Sequence, residues 1–195
     1  MKISLLILTT LFSLNTLAAN SKKVFSEVHS NLYLAGETHI HDDIRAEFSE
    51  DLQIFEANGG EVLALEMVET NEQQTLNNYL DRRERSEEIL YEYLKERWGY
   101  NTNSYMEMIS KARELGLDLL AVDLPVELKP EEVTVYPVIP DISLVRAARE
   151  AHMAKVLCKE DRKTTLIIGS FHILKRFLPA AIKLECFKPS YSFKL

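Results

Sequence analysis

Acidic and histidine side chains recur in this chain at the ends of short apolar runs. The run 32–35 leads into Gly36-Glu37-Thr38-His39-Ile40-His41-Asp42, and the run 62–65 leads into Glu66. The run 117–122 ends in Asp123, and 165–168 ends in Gly169-Ser170-Phe171-His172. Carboxylates and imidazoles brought together can do two kinds of chemistry. A carboxylate can orient and polarise a histidine as a general base for water. Mixed oxygen and nitrogen donors can instead bind a borderline divalent metal such as zinc, manganese or cobalt. Glu37, His39, Glu66 and His172 are the candidate ligands for such a metal.

These groups can act together only if the runs share a frame. Short apolar runs separated by helical patterns read as parallel strands buried on both faces. The expected fold is therefore α/β, with a mostly parallel central sheet flanked by helices on both faces. Ligand sites in such sheets lie beyond the carboxyl ends of the strands. One edge would then collect Glu37, His39, His41, Glu66, Asp123 and His172. His29 precedes the first run and belongs to the opposite edge. Gly36 can take the torsions of a tight strand-to-helix turn, and a carboxylate at 37 suits a helix N-terminus.

The connecting segments read as helices. Ile44, Phe48, Leu52 and Phe55 recur at spacings of three and four, predicting a helix over 43–58 that stops at Asn58-Gly59-Gly60. Further helices are expected after Thr70 or Asn71, over 89–98, and over 105–115 up to Gly116. The mixed charge run 81–88 reads as a solvated helix face or a turn. Pro125, Pro130, Pro137 and Pro140 rule out a helix there, leaving either an irregular excursion near the site edge, of the kind that forms a lid, or a surface connection. A helix over 142–158 carries Arg149 and His152 on one side, three residues apart. A closing helix is expected over 174–187, with Phe177, Leu178, Ala181 and Leu184 inward.

The remaining candidates have simpler alternatives. Asp123 can cap the turn before Pro125, and Arg149 with His152 can be a surface basic pair or can face an anionic group. Trp98, Tyr100 and Tyr105 form an aromatic group of the kind usually found in cores. Neither a Ser-His-Asp order nor a phosphate-binding glycine loop is visible.

The ends and the composition set further bounds. Lys2, the apolar stretch 3–14 and the small residues of Thr16-Leu17-Ala18-Ala19 have the layout of a secretory signal peptide, expected over 1–19. A single domain over 20–195 would remain. The formal net charge of the 195 residues is −7, and no basic cluster suggests a nucleic-acid face. Nucleic acid is therefore not an expected partner, and no apolar run after the signal region is long enough to span a membrane. The two cysteines, Cys158 and Cys186, permit one disulfide in an oxidising compartment or two buried thiols in its absence.

Leu34-Ala35-Gly36-Glu37-Thr38-His39 resembles the Gly-Glu-x-His strand end of the ChaN-like proteins. Those proteins are grouped with Tiki metalloproteases, TraB-type proteins and erythromycin esterases. Leu63-Ala64-Leu65-Glu66-Met67 with Gln73, Gln74, Leu76 and Tyr79 resembles the family's second segment. Trp98, Tyr105, Ala112-Arg113 and Leu120-Ala121-Val122-Asp123-Leu124-Pro125 resemble its middle. Arg149, His152-Met153-Ala154 and Gly169-Ser170-Phe171-His172 are similar to its last helix and strand end. The likeness runs from about residue 31 to 175.

This resemblance implies the same α/β fold and two competing activities. One is haem binding and iron acquisition at the bacterial envelope, with His39, His152 and Tyr105 as cofactor-binding candidates. The other is a metal-dependent or Glu/His-assisted hydrolase, a protease or esterase, with Glu37, Glu66, His172 and Arg149 as catalytic candidates. The implied partners are haem or a small-molecule or peptide substrate, and a homodimer is allowed. The implied location is periplasmic or secreted. Without a cysteine at the cleavage region, lipid anchoring is not expected. After Gly-x-x-His, this chain has Ile173-Leu174-Lys175-Arg176 where relatives often carry a Gly/Pro-rich turn.

Overall fold

The computed structural model describes residues 20–129 and 143–195. The expected signal peptide over 1–19 and the part of the proline-rich excursion from 130 to 140 lie outside the described residues.

Five strands form one sheet: β1 (Leu32–Glu37), β2 (Val62–Glu69), β3 (Asp118–Asp123), β4 (Thr164–Gly169) and β5 (Tyr191–Lys194). Every pairing is parallel, in the spatial order β3-β2-β4-β1-β5. Each residue of β1, β2 and β4 is buried, as the apolar runs require of parallel strands covered on both sides. β1 and β2 are not neighbours, because β4 inserts between them. The carboxyl ends of all five strands therefore point to one edge.

Seven α-helices are described: α1 (Ser21–Glu27), α2 (Asp42–Ala57), α3 (Gln73–Leu80), α4 (Ser86–Trp98), α5 (Thr102–Glu114), α6 (Ser143–Lys159) and α7 (Leu178–Cys186). Strand side chains alternate between faces. Tyr33, Ala35, Leu63, Leu65 and Ile167 pack under α1 to α5, in a core holding Phe48, Leu52, Phe55, Tyr79 and Leu94. Leu32, Leu34, Ala64, Leu166 and Ile168 face α6 and α7 through Met153, Leu157, Leu178 and Ile182. The α2 spacing read from the sequence places Phe48, Leu52 and Phe55 fully inside. Gly59, at φ 80°, makes the turn that ends the helix.

Several boundaries differ from expectation, each for a local reason. Strand β2 continues to Glu69, so Glu66 lies within it and not beyond it. Helix α5 starts at Thr102, ahead of the expected 105. The closing helix starts at Leu178 and not at 174, because Pro179 fixes a first-turn torsion and has no N–H to give to an earlier turn. Of the residues expected inward, Leu178 is buried and Ala181 packs on the core; Ile182 is buried as well, whereas Leu184 is 83% exposed. Neither α1 nor β5 was expected. Phe25 of α1 and Phe193 of β5 meet at a centroid distance of 5.8 Å in the core.

Cys158 and Cys186 form a disulfide between α6 and α7, with Cα atoms 6.0 Å apart. It closes a separation of 28 residues around β4. Cross-linking such a loop restricts the unfolded chain. Replacing both cysteines by serine is expected to lower the unfolding free energy by about 2–4 kcal/mol, measured by urea denaturation. Reduction of the native chain should reproduce the loss.

Candidate functional site

Register places the acidic strand ends side by side. Glu37 pairs with Gly169 across β1–β4, and Glu69 pairs with Asp123 across β2–β3. The β2–β4 pairing stops at Leu65–Ile167. Beyond it the Gly169 N–H donates at 2.6 Å to the Glu66 carboxylate. A side chain thus takes over where the backbone ladder ends, and it joins the two central strands at the site edge.

Glu37, Glu66, Glu69 and Asp123 are all buried. Buried carboxylates need compensating cations and hydrogen bonds. Arg45, fully buried on α2, donates to Glu37 Oε2 at 2.6 Å and to the His39 carbonyl at 3.1 Å, and pairs also with Asp42. The Tyr105 hydroxyl donates to Glu37 Oε1 at 2.8 Å. Arg149 on α6 bridges two strands, donating to Glu66 Oε1 at 2.9 Å and to Asp123 Oδ1 at 2.6 Å. Arg97, ending α4, pairs with Glu69 and Asp123, and Lys129 reaches the same two acids at 2.9 and 3.1 Å.

His39 stands at the mouth of this network. A carboxylate can only accept, so the 3.0 Å contact with Glu37 Oε1 puts the proton on His39 Nδ1. His39 Nε2 lies 4.0 Å from Glu66 and makes no hydrogen bond among the described residues. The ring is one third exposed and lies 5.0 Å from the Trp98 ring. Gly169 makes this placement possible, since a Cβ there would come within 2.8 Å of His39 Nε2. His172 is held differently, with Nδ1 3.1 Å from the buried Glu150 and Nε2 3.4 Å from Glu66.

Burial works against charge on Glu37, but hydrogen bonds from His39 and Arg45 and the Arg45 charge outweigh it, and the carboxyl stays below its ordinary 4.5. Burial likewise opposes the imidazolium of His39. The Glu37 hydrogen bond and the charges of Glu66 and Glu37 overcome it and raise His39 above 6.5. Asp123 is held low against burial by Arg149, Lys129 and Arg97. Burial pushes Glu150 up, against the pulls of His172, Arg146 and Arg149. The Tyr105 phenol is raised by burial and by the Glu37 charge.

A crevice of about 380 Å³, open to solvent, lies over these groups. It is lined by Glu37, Thr38, His39, Glu66, Trp98, Arg146, Arg149 and the stretch from Gly169 to His172. The structure therefore gathers Glu37, His39, Glu66, Arg149 and His172 at one opening. Asp123 lies beneath it as the centre of an ion network. His41 is half exposed and faces Asp43 at 3.9 Å, outside the crevice. Tyr105 and His152 do not line it either. Tyr105 is buried under Glu37, and His152 points to Thr70 Oγ1 at 3.0 Å because α6 turns it away from Arg149's partners.

The expectation of a metal centre on Glu37, His39, Glu66 and His172 finds no support in the geometry. Among the described residues, no group of three or more His, Cys, Asp or Glu is arranged to hold a metal ion. The cause is occupancy of the carboxylates: Arg45, Tyr105 and His39 engage Glu37, while Arg149 and the Gly169 N–H engage Glu66.

The family model for haem-binding uptake, Tiki superfamily, ChaN matches residues 24–133, more than half of the chain. The chain belongs to this family. The matched span carries β1, β2 and β3 of this ChaN-family protein, with Glu37, Glu66 and Asp123. Among solved structures it is similar to the ChaN of Campylobacter jejuni, described with cofacial haem binding. That likeness has 16% identity and a TM-score of 0.64, covering 85% of this chain and 81% of the other. The type III effector HopBA1 follows at 17% identity and TM-score 0.55, covering 73% of this chain and 67% of that one. RRSP, a MARTX toxin effector domain from Vibrio vulnificus CMCP6, gives 17% and 0.57; the match covers 89% of this chain but only 35% of RRSP. At such identities these likenesses establish a shared fold alone. No curated protein matches the chain.

Sequence reasoning missed Arg45, Arg97, Lys129 and Glu150. Arg45 had a local signal: it sits three positions before Phe48 and seven before Leu52, on the helix side that those residues bury. Removing it while Glu37 remains should leave an uncompensated buried charge. Arg45→Met is expected to cost about 3–5 kcal/mol of stability, and Arg45→Met with Glu37→Gln much less, by urea unfolding. Glu37 and Asp123 have native pKa values below their unfolded ones. They stabilise the fold above the ordinary carboxylate range, and that contribution fades as pH falls through their lowered native values.

Proposed function

We propose that the chain binds haem in the crevice, with His39 Nε2 as the iron ligand. The observation that carries this reading is the Glu37–His39 pair. Metal-ligating histidines characteristically donate their other ring N–H to a carboxylate, which fixes the tautomer and raises the basicity of the ligating nitrogen. In this family member Nδ1 is so engaged, and His39 lines the crevice with its Nε2 making no hydrogen bond among the described residues. Trp98 and Phe171 add aromatic walls, and the crevice falls in the ~300–1,000 Å³ range of small-molecule sites. When bound, haem would supply a ligand-binding iron centre.

The role of the protein's own groups follows from their charges. Arg45 and Arg149 neutralise Glu37 and Glu66, so an apolar macrocycle meets no unpaired carboxylate. Trp98 supports the His39 ring from the side. The membership in a haem-binding uptake family supports iron acquisition as the purpose. The disulfide supports export, because such bonds persist in oxidising compartments. No described helix is long and apolar enough to cross a membrane.

A second reading, Glu/His-assisted hydrolysis, is favoured by His172, whose Nδ1 meets buried Glu150 while the residue lines the crevice. A chromogenic ester turned over by the chain and not by His172→Ala would support it.

Purified chain titrated with hemin is expected to develop a Soret band at a 1:1 or 2:1 ratio, with affinity reduced at least tenfold in His39→Ala. A Soret titration identical in that variant would contradict His39 ligation. Iron must also displace a proton from His39, whose pKa lies above 6.5. Affinity is therefore expected to rise with pH through that titration and to level off above it, in Soret titrations over ~pH 6–9.

A further inference from the structure

The mixed charge run after α3 takes no part in the crevice, yet folding sorts its charges. Arg82, Arg83, Arg85 and Ser86 line a second cavity of about 250 Å³, which Glu87 and Arg113 complete. Asp81, Glu84 and Glu88 are not among its lining residues. Four arginines thus share one opening with a single glutamate. The cavity lies where α4 begins, whereas Trp98, which lines the crevice, ends that 13-residue helix. At ~1.5 Å per residue the two ends are roughly 18 Å apart.

These arginines are short of acceptors. Arg113 comes from α5, and its side chain is only 19% exposed. Its one hydrogen bond among the described residues is long, 3.4 Å to the Tyr79 carbonyl. Its Nε is buried with no partner there, and Glu87 at 3.9 Å is beyond hydrogen-bond reach. The guanidinium lies 4.0 Å from the Tyr79 ring centroid, a contact that leaves its N–H donors unused. Arg82 forms no ion pair among the described residues, and Arg83 comes only within 3.7 Å of Asp81. Arg85 differs, donating to Glu88 at 2.8 and 3.1 Å. Buried donors are normally satisfied, so Arg113 marks a place where an acceptor is missing.

The backbone is bent to make this opening. Arg82 and Arg85 have φ of 55° and 58°, a left-handed conformation that is costly for a residue with a side chain. Such strain is kept where a fixed geometry is used. The two bends close the turn between α3 and α4 over Arg113.

We propose that this corner is a second binding site, separate from the crevice, for a phosphate group held by Arg82, Arg83 and Arg113. A carboxylate is a flat monoanion that one guanidinium fork can serve. Three guanidinium groups from a turn and a neighbouring helix instead suit a tetrahedral anion of higher charge, with oxygens directed to several sides. The cavity lies below the ~300–1,000 Å³ of drug-sized sites, a size for an anionic group and not for a macrocycle. The group is either free phosphate or the exposed phosphate of a lipid, and the chemistry of recognition is the same.

The test titrates the full chain with inorganic phosphate by calorimetry at low ionic strength. In parallel it measures cosedimentation with phosphatidylcholine vesicles, with and without phosphatidic acid. Wild type should bind one of these phosphate probes saturably. Arg82→Gln and Arg113→Gln should each weaken that binding about tenfold or more, as loss of a charge-assisted hydrogen bond does. Lys23→Gln, which removes one exposed charge from α1, should leave it unchanged. Phosphate in solution identifies a free anion as the ligand, and response to phosphatidic acid vesicles alone identifies a headgroup. Arg82 is exposed, so its variant reports on binding even if Arg113→Gln fails to fold. Binding of neither probe by wild type would overturn the site. Affinity in Arg82→Gln equal to wild type, or an equal loss in Lys23→Gln, would overturn it as well.

Discussion

Four buried carboxylates on one sheet edge, and the cations they require, govern the organisation of this molecule. A parallel sheet covered on both faces gives its strand ends little water. Glu37, Glu66, Glu69 and Asp123 can be charged there only because α2, α4, α6 and the segment after β3 each deliver a cation. The helices are in this sense pinned to the strand ends by charge as well as by apolar contact. Arg149 makes the point most clearly, since one side chain links β2 and β3 to α6. Buried pairs of this kind need not raise net stability over an apolar equivalent, but losing one member is costly. The network therefore specifies one arrangement more than it strengthens it.

That arrangement leaves a particular chemical surface. The carboxylates are internally satisfied, and among the described residues no group of them is arranged to hold a metal ion. The crevice is lined by His39, whose Nε2 makes no hydrogen bond among the described residues, by the rings of Trp98 and Phe171, and by Arg146. His172 is tied between Glu150 and Glu66 and completes the floor. Under the proposed haem reading, the His39 nitrogen and the flat apolar area of Trp98 and Phe171 would face the ligand.

Much of this was legible in the sequence, and the reason is geometric. Parallel strands buried on both faces are continuous apolar runs, and the residue that breaks such a run is by construction at a strand end. Glu37, Asp123 and the turn carrying His172 were found that way, and Glu66 through the same pattern although β2 runs on past it. The partners were not legible. Arg97 and Glu150 pair across 22 to 28 residues, and Lys129 reaches Glu69 across 60 and Asp123 across 6, and periodicity carries no sign of such pairing. Tyr105 and His152 were chosen for what their side chains can ligate, whereas helix rotation decides where they point. Rotation of α5 puts Tyr105 under Glu37, and that of α6 turns His152 to Thr70. β5 is four residues long, too short for its alternation to stand out, and α1 lies in a stretch of only seven.

The central claim is that a carboxylate-held histidine, not the acidic cluster, is the binding group of this edge. A crystal structure of the chain loaded with hemin tests it most directly. The account predicts the iron bonded to His39 Nε2 in the crevice, with the Glu37–His39 and Arg45–Glu37 contacts retained. Iron ligated by any other residue, or haem seated away from the Glu37–Glu66 edge, would contradict it.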